Sequence, residues 1–176
     1  MQLQVTDSLA DHTDEDHTFA TDALPTADSL VFGRPSLVPL GHLHPTVPQI
    51  MLLWQTFLNN FNPLVKPFHA PTVQNVISEA TTDLESISAS TEALMFSIYL
   101  SAVSTMTEEQ CMRLLSTSKP ALISRYSDST QQALVNSKFL KTTDLVVLQA
   151  FTLYLVRLRL HFPTRTSGRG GRQTDT

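Results

Sequence analysis

Ser88–Met106 reads SASTEALMFSIYLSAVSTM, and in it Leu94, Met95, Ile98, Leu100, Ala102 and Val103 point to nearly every side of a 3.6-residue helix. A surface helix carries its apolar residues in one stripe, so a helix that is apolar all round has to be enclosed by neighbours. The spacing predicts a central helix in an all-α bundle. Flanking segments supply one-sided partners. From Pro48 to Phe61, residues Ile50, Leu53, Trp54, Phe57, Leu58 and Phe61 recur at three- and four-residue steps. Pro48 suits a first helical turn, where its missing N–H costs nothing. Asn62-Pro63 is expected to end that helix, with residues 64–69 as an extended apolar linker.

Further out, Pro71 opens a short helix through Glu79, with Val73, Val76 and Ile77 inward. Thr107-Glu108-Glu109-Gln110 is a capping box, a hydroxyl followed three residues later by an amide, and starts a helix through Leu115. Pro120 to Ser137 places Leu122, Ile123, Tyr126, Ala133 and Leu134 on one side. Thr143 and Asp144 open a last helix to about Leu160, apolar almost all round and therefore expected to be covered on several sides. No stretch alternates with a two-residue period over a useful length. The expected fold is all-α, a bundle or stack of helical hairpins with disordered N- and C-terminal tails.

Charge marks the tails. Every charged residue before Arg34 is acidic (Asp7, Asp11, Asp14, Glu15, Asp16, Asp22, Asp28), and from Arg157 to Arg172 every one is basic. Residues 1–36 read as an acidic flexible leader, 37–160 as the helical domain and 161–176 as a basic disordered tail. Net charge is −4, which gives no global attraction to nucleic acid or anionic membrane. The start, Met1 to Asp7, has no basic or apolar run of the secretory kind. The longest apolar stretch, Leu145 to Val156, is about a dozen residues against the roughly 20 of a membrane span. A single cysteine, Cys111, excludes a disulfide framework and fits a reducing compartment.

The chemistry-bearing residues are sparse. Asp11-His12 and Asp16-His17 have chelating types but no scaffold to fix a geometry, so a solvated polar tail is the better reading. His42-x-His44 also has chelating spacing, and a structural turn is favoured. No serine lies in Gly-x-Ser-x-Gly, no glycine loop could cradle a phosphate, and Cys111 within a short helix reads as a packing residue. No enzyme is expected, and no catalytic, cofactor or metal-binding residue is assigned. Arg157, Arg159, Arg165, Arg169 and Arg172 could bind nucleic acid nonspecifically, but almost no aromatics are interleaved for stacking. Trp54, Phe57, Phe61, Phe68 and Phe96 could line a pocket or fill the core, and spacing does not choose between them.

A set of ordered motifs adds to this reading. They are Gly41-His42-Leu43-His44-Pro45, Leu53-Trp54-Gln55-Thr56-Phe57, Asn62-Pro63-Leu64-Val65-Lys66 and Phe68-His69-Ala70-Pro71-Thr72-Val73-Gln74. Glu92-Ala93-Leu94-Met95-Phe96, Ile98 to Val103, Ala133-Leu134-Val135-Asn136 and Asp144 to Ala150 follow. In this order, from Leu37 to Arg157, the chain resembles the fungal-specific transcription factor domain, the middle homology region of zinc-binuclear-cluster regulators. The resemblance implies a nuclear regulatory platform that modulates activation through a small-molecule effector or intramolecular contacts, while apolar faces left uncovered at the truncated end point to a helical protein partner or a homodimer. Zinc is expected only in full-length family members. The six-cysteine cluster is missing from this sequence, so no direct sequence-specific DNA binding is expected, and no membrane. The pattern stops near Arg159, which points to a truncated domain. Two alternatives follow: a helical interaction partner that modulates a full-length regulator, or a gene fragment without function.

Overall fold

In the computed structural model, which describes residues 31–32 and 39–161, a 3-10 turn at Gly41–Leu43 leads into the first long helix, α1 (Val47–Thr56). Gln49 Oε1 accepts the Thr46 N–H at 3.2 Å, and Pro48 sits in the first turn. This cap lay in the sequence as Thr46-x-x-Gln49, three residues apart. The expected end at Asn62-Pro63 is corrected. The chain stays helical through a π-helical turn, Phe57–Phe61, and a further turn, α2 (Asn62–Val65), before Lys66 stops it in the left-handed region at φ 41°. A proline ring inside an α-helix clashes with the carbonyl four residues earlier. The wider π turn directly ahead of Pro63, in which the Asn62 N–H reaches the Phe57 carbonyl, makes room for it.

Helix α3 (Ala70–Ala80) starts with Pro71 in its first turn and buries Val73, Ile77 and Ala80. Helix α4 (Ala89–Thr105) is capped by Ser88, whose Oγ accepts the Thr91 N–H at 3.1 Å. All residues from Ala93 to Val103 are buried, as a helix apolar on every side demands. Its two buried hydroxyls donate back to carbonyls one turn earlier, Ser97 to Ala93 and Ser101 to Ser97, so neither is orphaned in the core. Helix α5 (Glu108–Leu115) begins with the expected capping box. The Gln110 N–H donates to Thr107 Oγ1 at 3.2 Å, and the Thr107 N–H donates to Gln110 Oε1 at 2.8 Å.

Helix α6 (Lys119–Asn136) and helix α7 (Leu145–His161) complete the bundle. Helix α4 makes its most extensive contacts with these two and also packs against α1, the π turn and α3. It is the axis of an all-α fold, and the described residues contain no strand. No described helix is long and apolar enough to cross a membrane.

The expectation for the last helix needs correction. Helix α7 buries Val147, Ala150, Leu153, Tyr154 and Arg157, but Leu145, Leu148 and Leu155 on the opposite face are 66%, 43% and 46% exposed. The helix lies at the edge of the bundle, where α4 and α6 cover one side only. Of the segments expected to be tails, Val31 and Phe32 are helical. Phe32 packs at 5.4 Å against both Phe139 and Tyr154. Residues 1–30 and 162–176, with the chelating pairs and most of the tail arginines, lie outside the described residues.

Candidate functional site

Two polar features interrupt the apolar packing of α4, one at its beginning and one at its end. At the beginning, Pro45 holds His44 extended (φ −64°, ψ 140°), which turns the imidazole inward from the 3-10 turn. Its side chain is fully buried. The ring stacks on Phe96 with centroids 4.5 Å apart and meets the edge of Tyr99 at 5.8 Å. Nδ1 shares a 3.2 Å hydrogen bond with the Tyr99 hydroxyl. Nε2 has no hydrogen-bond partner among the described residues, and the Glu92 carboxylate stands 4.0 Å away, too far for one.

Burial governs the protonation of this cluster. It lowers the His44 imidazole from 6.5 to about 4 and raises the Glu92 carboxyl. Burial, with Tyr126 second, pushes the Tyr99 phenol well above its usual value. Tyr126 itself is pushed up to about 12, mainly by burial. His44 is therefore a neutral ring near pH 7. Beside the cluster lies a cavity of about 250 Å³ whose wall includes His42, His44, Gln49, Arg125 and Tyr126.

The other feature closes the carbonyl end of α4, which has no basic residue in its own last turn. Lys119 comes across from α6 and donates from Nζ to the Ser104 carbonyl at 3.2 Å and to the Met106 carbonyl at 2.6 Å. Arg157 comes from α7 and donates from Nε to Ser104 Oγ at 3.4 Å. A cation at a helix C-terminus gains about 0.3–1 kcal/mol, up to about 2 kcal/mol when partly buried. For Lys119 the two carbonyl bonds add to this. Arg157 is only 6% exposed and has no carboxylate partner among the described residues. Taking an ion out of water costs several kcal/mol, so the helix end alone does not offset its burial. That burial also lowers the guanidinium's affinity for its proton, with Tyr154 opposing.

The aromatic set divides. Trp54, Phe57, Phe61 and Phe68 stack on one another with centroids 5.5–6.3 Å apart. Phe96 stands apart in the His44 cluster. Phe61 also borders a small cavity next to Arg157. The sequence drew attention to His44 only through its chelating spacing with His42 and to Arg157 only within a basic stretch, and it did not mark Tyr99 or Lys119 as polar groups of the bundle. A further signal was a histidine fixed before a proline, inside one of the family motifs.

No family model and no solved structure matches the chain. Curated proteins do. The transcriptional regulator nsrM of Aspergillus novofumigatus is 45% identical over 132 residues, 74% of this chain and 19% of its own. The aurofusarin cluster transcription factor aurR2 of Gibberella zeae is 40% identical over 139 residues, 79% of this chain and 21% of its own. The transcriptional regulator AacuB of Aspergillus aculeatus is 42% identical over 133 residues, 75% of this chain and 18% of its own. Other matching proteins are named C6 finger domain transcription factors. Over about three quarters of its length the chain is homologous to fungal zinc-cluster transcription regulators.

It spans about a fifth of the length of the family members it matches. The C6 finger in some of those names implies zinc, and the residues of this chain do not fit it. A closed zinc shell needs several thiolates or imidazoles around each ion. The chain has one cysteine, Cys111, buried in α5 with its thiol pushed up chiefly by that burial. His42 is exposed while the side chain of His44 is buried, and no group of three His, Cys, Asp or Glu among the described residues could hold a metal ion.

Proposed function

We propose that this chain is a helical regulatory domain of the middle-homology kind, which serves transcription control in the nucleus without reading DNA and without catalysis. One observation carries the reading. Similarity to named transcription regulators reaches about three quarters of the chain, and the clustered thiolates of a zinc-based reader have no counterpart among its residues. Regulation then acts through the surfaces of a preformed helical platform, which α4 organises and α1, α6 and α7 present. The test is a reporter assay with the full chain fused to an unrelated DNA-binding domain, alongside gel retardation of the unfused chain on promoter duplexes. The expected result is an altered reporter output with no site-selective retention. An unaltered reporter, or tight selective capture of a duplex by the chain alone, overturns the reading.

A specific observation favours a second role, that of a helical interaction partner. Leu145, Leu148 and Leu155 expose one face of α7 over about 15 Å. Apolar residues at such steps suit the groove of another helical chain, either a second copy of this protein or a longer regulator.

A further inference from the structure

We propose that the cavity at the carbonyl end of α4 binds a single carboxylate group through Arg157. A guanidinium offers five N–H donors in a planar fork that matches a carboxylate. Arg157 is nine-tenths buried, yet its one hydrogen bond to a described residue is the long contact from Nε to Ser104 Oγ. The edge formed by its two terminal nitrogens has no acceptor among the described residues, and no aspartate or glutamate is paired with it there. A cation with so little of its surface in water favours an anion beside it, because the helix end supplies too little, and the unpartnered terminal nitrogens are not sealed from the cavity.

The surroundings define what fits. Arg157, Ser104, Thr105, Phe61, Leu64 and Leu160 line a cavity of about 120 Å³. At about 30 Å³ per water, that is room for a carboxylate and one or two carbons, not for a large effector. The Ser104 and Thr105 hydroxyls donate back to the Leu100 and Ala102 carbonyls, which leaves the guanidinium as the donor for a ligand. Leu64 and Leu160 at the rim are 70% and 60% exposed, so the group that carries the carboxylate meets apolar surface. Either a short free carboxylic acid or an acidic side chain on an apolar helical peptide has this chemistry. The proposal stands independently of the regulator reading.

The experiment follows the Arg157 Nε–Hε resonance of the full chain, labelled with nitrogen-15 arginine, in titrations with three probes. These are acetate, a helical peptide with one glutamate between leucines, and the same peptide with glutamine in its place. Saturable movement with acetate supports the site and marks free acids as ligands. Movement with the glutamate peptide alone supports it and marks a protein side chain as the source. Replacing the glutamate by glutamine is expected to weaken binding by about tenfold to a hundredfold, since a charge-assisted bond is lost. An Arg157 signal that none of the probes moves, or that the glutamine peptide moves equally, overturns the proposal. Arg157→Lys keeps the charge without the fork, and its expected loss of the glutamate preference checks the assignment in a folded protein.

Discussion

The His44 imidazole lies face to face with the Phe96 ring, 4.5 Å between centroids and 25° between planes. A neutral ring is accepted there and a charged one is not, which makes stability depend on pH. The unfolded imidazole titrates near 6.5 and the folded one near 4. Between those values the unfolded chain binds more protons, so stability rises with pH. The contribution of His44 is whole above about pH 6.5 and falls away as pH drops toward 4, by about 2 kcal/mol between pH 7 and pH 5. Glu92, whose carboxyl is raised by burial, acts in the opposite sense at lower pH. Urea unfolding at both pH values should show this loss in the natural chain and its absence in His44→Gln. An equal slope in the two proteins contradicts the assignment.

Among the described residues Tyr99 is the one hydrogen-bonding partner of that ring. Tyr99→Phe leaves a buried nitrogen unsatisfied and is expected to cost about 1–3 kcal/mol in unfolding free energy. In a His44→Phe background the same change should cost less, because no polar nitrogen is then stranded. A double-mutant cycle by chemical denaturation measures the difference. Additive losses would mean that the 3.2 Å contact contributes nothing.

Lys119 caps a helix to which it does not belong. Lys119→Met keeps most of the apolar stem but strands the Ser104 and Met106 carbonyls, which accept from Nζ. Hydrogen bonds to charged groups contribute about 1.5–3 kcal/mol, and solvent reaches this half-buried one, so a loss of about 1–2 kcal/mol is expected. Lys119→Arg should recover part of it. The check is a shift in urea midpoint at constant slope.

The bundle's axis was legible because the composition of α4 left no alternative. With apolar residues at Leu94, Met95, Ile98, Leu100 and Val103, every side needed cover, and every side has it. The Thr107–Gln110 box was legible for a different reason, since capping is local chemistry that one turn of chain completes. Pro63 misled because proline rules describe α-helical geometry. A π turn changes which carbonyl faces the ring, and no residue pattern announces such a turn. The polar sites were the least legible. His44 finds Phe96 and Tyr99 across more than fifty residues, and Arg157 finds Ser104 across as many. Such pairings arise from tertiary packing, which periodicity along one helix does not encode.

Helix α7 yields the last expectation. Its apolar pattern called for cover all round, yet α4 and α6 protect one side and leave Leu145, Leu148 and Leu155 exposed. Because these side chains are already exposed, replacing two of them costs the folded chain little, within about 0.5 kcal/mol each. The same replacement places two carboxylates where a partner helix would bury leucines, and a buried unpaired charge is strongly unfavourable at an interface. Leu148→Glu with Leu155→Glu should therefore keep the melting temperature nearly unchanged. It should abolish any concentration-dependent rise in mass that light scattering detects for the natural chain, alone or mixed with a longer family member. If the natural chain and the variant associate to the same extent, this face of α7 is not the contact, and the interaction-partner reading loses its support.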